Sequence, residues 1–418
     1  MTPPFNVKTE PLVPPNTLPI LLLLLATAWS ANHFAALLPV LRQQENLSTG
    51  LLAGVYALYA VGLLPGLLAG GTVSDRIGRP AVALPGAALT LTGTICLLFW
   101  QDPTGLTIGR LIIGLGAGAT FSAGTAWAAD LAGATGATQA GLALTIGLAV
   151  APAVTGVLAQ WFPAPLTAPF IVSAALSLFA ILLTLRRLPQ LHLHLHHHTI
   201  RPATQLAGST VDRSPGGTRT GRSISAALGW SLPIAPWVFA AATVGLVTLP
   251  SRMPTTTGGP LLVGVAGAVV FGSGLLAQTV ARHRQAGPAT GTLGAAAAAG
   301  GLALAGIGGN ALPIPLAVIT FVLLGIGYGL CLRAGLLDLT IWGPPEHRGT
   351  LTGLFYLVTY LGFGVPPLLE AIRPAMGATT PLLALAGLAG LSSITRWWHL
   401  RAIAGADRSA SKASPATG

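Results

Sequence analysis

Apolar residues run along this chain in blocks of membrane length, and polar residues collect in the gaps between them. Crossing about 30 Å of hydrocarbon takes about 20 apolar residues in an α-helix. Twelve blocks meet that length, at 18–41, 48–73, 80–100, 104–129, 136–160, 165–187, 224–250, 257–281, 287–308, 313–342, 348–372 and 376–398. They predict an all-α membrane protein. The block at 313–342 is longer than a bilayer needs and is expected to extend past it. Residues 188–223, rich in Pro, Ser, Thr, Gly, Arg and His, hold no block of that length and read as a linker. The expected layout is therefore a terminus at 1–17, six spans over 18–187, the linker at 188–223, six spans over 224–398 and a tail at 399–418. The first span, flanked only by Lys8, does not read as a cleaved signal.

Charge orients this frame. Only 7% of residues are charged, against roughly a quarter in a soluble chain. Sixteen Lys and Arg fall in the termini and even-numbered gaps, and three, Arg42, Arg252 and Arg373, in odd-numbered gaps. Positive charge stays on the cytoplasmic side, so both termini and the linker are expected there. The net charge of +11 is spread as single loop residues and forms no stripe, which excludes a nucleic-acid surface. Cys96 and Cys331 lie within spans and predict neither a disulfide nor a metal site.

The two halves echo each other. Gly66-Leu-Leu-Ala leads into a charged turn after span two, and Gly274-Leu-Leu-Ala into another after span eight. Parallel halves fit a transporter built from two repeats. Gly114, Gly116 and Gly118 in span four, and Gly325, Gly327 and Gly329 in span ten, give smooth faces for close helix packing.

The turn after span two holds Gly71, Asp75, Arg76, Gly78 and Arg79. It resembles the signature loop of the major facilitator superfamily. That resemblance implies twelve helices in two six-helix pseudo-repeat bundles. It also implies that Asp75 faces the positive N-terminal end of span eleven, and that Arg79 pairs with Asp130 to form a conformational gate. Arg110, four residues before the glycine run, resembles the family's second motif, which is linked to proton coupling. An arginine in lipid must find a cavity or partner; the other reading is an arginine reaching outward to water. Gly147, Pro152 and Gly156 in span five are similar to the family's antiporter motif, with Ala151 and Thr155 in place of glycines. A generic proline kink explains them equally.

Asn32 and His33 lie in span one, where related exporters carry an acid. His33 is a candidate proton carrier or a packing residue. Tyr59, Trp237, Tyr328 and Tyr356 are candidate cavity residues, or belong to the aromatic belts at the membrane surfaces. Asp338 reads as a counterpart of Asp130 or as a solvated helix end. The run His192 to His198 has no thiolate or acid beside it, so no metal site is assigned.

No phosphate-binding loop and no soluble domain are present, so neither ATP-driven pumping nor an enzyme is expected, and no cofactor. The expected protein is a monomeric inner-membrane transporter, exchanging protons for a small neutral or hydrophobic solute. Two alternatives remain: a proton-coupled importer or facilitator, and a non-transporting sensor or scaffold.

Overall fold

A computed structural model describes residues 17–198, 223–253, 259–309, 312–344 and 347–413. Among the described residues, eleven helical segments are long and apolar enough to cross a membrane. They are α1 (Leu18–Gln44), α2 (Thr49–Ile77), α3 (Arg79–Phe99), α4 (Pro103–Gly133), α5 (Thr135–Trp161), α6 (Thr167–His198), α7 (Ile224–Arg252), α8 (Pro260–His283), α9 (Ala289–Gly308), α10 (Ile314–Trp342) and α11 (Thr350–Met376). The twelfth expected span lies in α12 (Thr379–Ala413), which is helical but falls outside those eleven. Its apolar part is diluted by Thr and Ser and runs into Arg396. Helix α6 continues past the expected boundary at 187 as far as His198. Residues 199–222, most of the expected linker, lie outside the described residues.

Local chemistry sets the helix ends. Ser48 caps α2 by accepting from the Leu51 amide at 3.2 Å. Asp102 caps α4 by accepting from the amides of Thr104 and Gly105. Those bonds, with one from the Trp100 indole, hold the Asp102 carboxyl below the usual carboxylate range. Gly78 sits between α2 and α3 at φ 98°, and Gly133 between α4 and α5 at φ 58°, where a side chain would be strained.

Glycines bring backbones together inside each half. A Cβ on Gly66 of α2 would lie 2.2 Å from the Leu115 carbonyl oxygen of α4. In the second half, a Cβ on Gly274 of α8 would lie 2.8 Å from the Gly325 oxygen of α10. The repeated Gly-Leu-Leu-Ala strings thus mark the same seam in both halves. Small residues suit such seams because lipid supplies no hydrophobic force between helices.

Two further seams join the halves. Gly156 of α5 meets α8, where a Cβ would lie 2.6 Å from the Pro260 oxygen, and Gly264 meets the Pro152 oxygen at 2.7 Å. Across α2 and α11, Tyr56 stacks on Phe363 with centroids 5.5 Å apart. Three helices leave the α conformation near their middles or toward the arginine-poor end: α1 is 3₁₀ over His33–Leu37, α7 is π over Val244–Thr248, and α11 is 3₁₀ over Leu361–Gly364. Such breaks change the spacing of the backbone hydrogen bonds and mark helices under local strain or at a hinge.

Candidate functional site

Arg110 lies beside the start of the break in α1. Its side chain is fully buried and points across the first half, not outward to water. Nη1 donates to the Ala31 carbonyl at 2.9 Å and Nη2 to the Tyr56 carbonyl at 3.1 Å. The guanidinium also lies over three aromatic faces, Tyr59 at 4.8 Å, Phe34 at 4.9 Å and Tyr56 at 5.5 Å. Carbonyl dipoles and ring quadrupoles stand in for a carboxylate. Arg110 Nε keeps no partner among the described residues.

His33 is also fully buried, at the first residue of the 3₁₀ stretch. Its Nδ1 lies 3.1 Å from the Ser30 carbonyl, and its ring meets Phe170 edge-on at 5.3 Å. A carbonyl only accepts, so this contact places the proton on Nδ1. Nε2 is unpartnered among the described residues. Asn32 donates to the Leu148 carbonyl of α5 at 2.6 Å and accepts from the Tyr56 hydroxyl at 3.4 Å. Asn32, His33 and Arg110 therefore gather where α1, α2, α4 and α5 meet.

Aromatic rings fill the centre between the halves. Phe363 touches Tyr56 and Tyr59 on one side, and Phe239 at 5.0 Å and Tyr360 at 5.7 Å on the other. Phe239 continues the cluster to Tyr328, and Tyr360 continues it to Tyr356. Tyr59, Tyr328 and Tyr356 are thus brought together. Trp237 has a different setting: its indole donates to the Pro233 carbonyl and to Ser392 Oγ, each at 3.0 Å, which ties α7 to α12.

Beyond this cluster, toward the end of the molecule with few arginines, a cavity of about 250 Å³ opens between the halves. Leu52 and Ala53, one turn beyond Tyr56, line it from the first half; Leu246, Val247 and Met253 line it from the second.

At the opposite, arginine-rich end, Arg79 bridges two carboxylates. Its Nε donates to Asp130 at 3.0 Å, and Nη1 donates to Ser74 at 2.8 Å and to Asp75. These side chains are well solvated, Asp75 at 62% and Asp130 at 45% exposure. Asp75 is engaged by Arg79, four residues on, and both flank Gly78; Arg76 and Gly71 are exposed or half-buried beside them. In span five, Gly147 packs on α1, where a Cβ would lie 2.5 Å from the Leu25 oxygen, while Pro152 and Gly156 pack on α8.

One site escaped the sequence reading. Asp338 is not a solvated helix end: it is fully buried and pairs with Arg396 of α12, which is only 2% exposed. Nη2 donates to Asp338 Oδ1 at 2.9 Å, and Nη1 lies 2.8 Å from Oδ2. Arg396 also donates to the Pro288 carbonyl at 2.9 Å and the Trp230 carbonyl at 2.7 Å, so one side chain fastens α7, α9, α10 and α12. The place of Arg396 inside the last apolar block, 376–398, was the available signal. Phe239 and Phe363 were also missed, since an apolar ring within an apolar span carries no signal of its own.

Two helical bundles, meeting along a pair of seams with a cavity between them, define a membrane transporter architecture. The chain belongs to the Major Facilitator Superfamily, whose family model matches residues 20–367. A stretch of 84 residues is 34% identical to the multidrug resistance protein MdtL of Escherichia coli O139:H28, covering 20% of this chain and 22% of that protein. The chain thus spans about a fifth of the length of the curated relatives it matches. The fold is similar to that of a peptide transporter POT solved in complex with sulfate, with a TM-score of 0.75, 16% identity, and coverage of 93% and 95% of the two chains. It is also similar to the xylose transporter XylE from E. coli in a partially occluded inward-open conformation, with a TM-score of 0.68, 17% identity, and coverage of 91% and 97%.

Proposed function

We propose that this secondary transporter works by alternating access in the inner membrane, exporting a small, predominantly hydrophobic solute in exchange for protons. The observation that carries the reading is the cavity of about 250 Å³ between the halves, at the arginine-poor end, whose wall at Leu52 lies one helical turn from Tyr56 of the Phe363 aromatic cluster. Taking the arginine-rich end as cytoplasmic, this arrangement is a solute site facing outward. Partial similarity to a multidrug resistance protein supports export. The α5–α8 seam through Pro152 and Gly156 supports the same direction, because the antiporter-like residues lie where the halves meet.

In this reading Asp75, Arg79 and Asp130 hold the cytoplasmic ends of α2, α3 and α4 in the outward-facing state, and the network rearranges as the halves rock. His33 carries the proton, and Arg110 sets its electrostatic surroundings. Rocking shifts only if solute and proton bind the two states unequally.

The test is solute-driven proton movement in liposomes holding the purified full chain, with an imposed pH gradient and a panel of dyes and antibiotics. Proton movement opposite to the solute, lost in His33→Ala, is expected. Transport that continues without proton movement, or proton and solute moving together, would overturn the antiport reading.

A further inference from the structure

Among the described residues that line the cavity between the halves, one side chain is charged and none is acidic. Arg42, near the end of α1, lines the cavity beside Gln43, Thr49 and Ser251, while its deeper wall is aliphatic. Arg42 makes no hydrogen bond or ion pair among the described residues, and no carboxylate lies among the lining residues. The other arginines at this end are committed: Arg252 donates to the Ala378 carbonyl at 2.9 Å, and Arg373 pairs with Glu370 at 3.4 Å. Arg42 is the exposed cation at an apolar opening.

We propose that the cavity takes an amphiphilic organic acid, with the apolar body against Leu52, Leu246 and Val247 and the acid group on the Arg42 guanidinium. Three features support that class. A guanidinium offers a planar fork that matches a carboxylate in two parallel hydrogen bonds. The neighbouring Thr49 hydroxyl and Gln43 amide supply further donors, while the Ser251 hydroxyl beside them donates to the Thr248 carbonyl at 2.9 Å. The volume lies near the lower end of ligand sites, about 300–1,000 Å³, which suits a one-ring body. The proposal rests on the cavity being the solute site and narrows the hydrophobic solute to one that carries an acid. A charge at the mouth also lets capture be selective without burying an ion in the membrane.

The test uses Ser251→Cys in the full chain, with Cys96→Ala to lower background, reconstituted in phosphatidylcholine vesicles. The rate of alkylation by a membrane-impermeant maleimide is measured with benzoate, benzamide or benzyltrimethylammonium, which share a ring and differ in charge. Benzoate is expected to slow labelling at least fivefold and the other two to have little effect. Adding Arg42→Gln is expected to remove the benzoate effect, and Arg42→Lys to restore it in part. Equal protection by benzamide, unaffected by Arg42→Gln, would overturn the acid preference while leaving a neutral solute site intact. No protection by any of the three would overturn the site itself. Protection by phosphatidylglycerol vesicles alone would also overturn the proposal, assigning Arg42 to a lipid headgroup.

Discussion

Replacing Arg396 by Met is expected to be the most damaging single change in the second half. The Asp338 carboxylate is fully buried, and its ion-pair partner would be gone. Removing one member of a buried pair costs about 3–5 kcal/mol, because the other charge stays desolvated. The Pro288 and Trp230 carbonyls lose their donors too. Asp338→Leu should cost slightly less, since Arg396 keeps those two carbonyls. The double variant Asp338→Leu/Arg396→Met removes both charges and leaves only the carbonyls short, at about 1 kcal/mol each. It should therefore be more stable than Arg396→Met alone by at least about 1 kcal/mol. The assay is thermal unfolding in detergent, followed by dye labelling of Cys331, which is fully buried near Arg396. A double variant as unstable as the sum of the two single ones would refute the reasoning, because independent sites add to within about 0.5 kcal/mol.

Gly66→Ala and Gly274→Ala should each cost about 1–3 kcal/mol by overpacking, whereas Gly54→Ala, with open space around its Cβ, should be neutral; equal melting temperatures for all three would remove the seam argument. Asp75→Asn should leave the melting temperature within a degree or two, since exposed pairs are worth at most about 1 kcal/mol, yet slow solute flux severalfold; normal flux would remove Asp75 from the gate. Arg110→Lys should fail to restore the pH dependence of transport lost in Arg110→Ala. An ammonium cannot span two carbonyls on α1 and α2 while lying over three rings; full rescue would mean that charge alone suffices.

Much of the fold could be read in the chain because lipid makes helix boundaries a matter of apolar length. Gly114, Gly116 and Gly118, with Gly325, Gly327 and Gly329, showed where the seams would lie, since a bare backbone in a membrane helix serves close approach; Gly66 and Gly274 read only as a sign of repetition, and the structure places them across those seams. The twelfth block was harder: the same residues that dilute its hydropathy, Ser392, Ser393 and Arg396, bond to α7, α9 and α10 in the structure. Arg110 and His33 stood out as polar residues in lipid, but their surroundings did not. Three of the carbonyls they meet, on Trp29, Ser30 and Ala31, lie just before a 3₁₀ stretch, and nothing in His33-Phe-Ala-Ala-Leu37 distinguishes 3₁₀ from α. The Phe363 cluster depends on rings from α2, α7, α10 and α11, a meeting that no single-span periodicity encodes.

The two halves anchor their arginine-rich ends by pairs of opposite character, and dissolved salt tells them apart. Around Arg79 the carboxylates stand in water, where ions at 0.15 M screen charge within about 8 Å. Around Arg396 neither partner meets solvent, so no ion atmosphere reaches the pair. Raising ionic strength should therefore loosen the first half and leave the second rigid. The working equilibrium of this molecule would then respond to the ionic strength around it through one bundle alone.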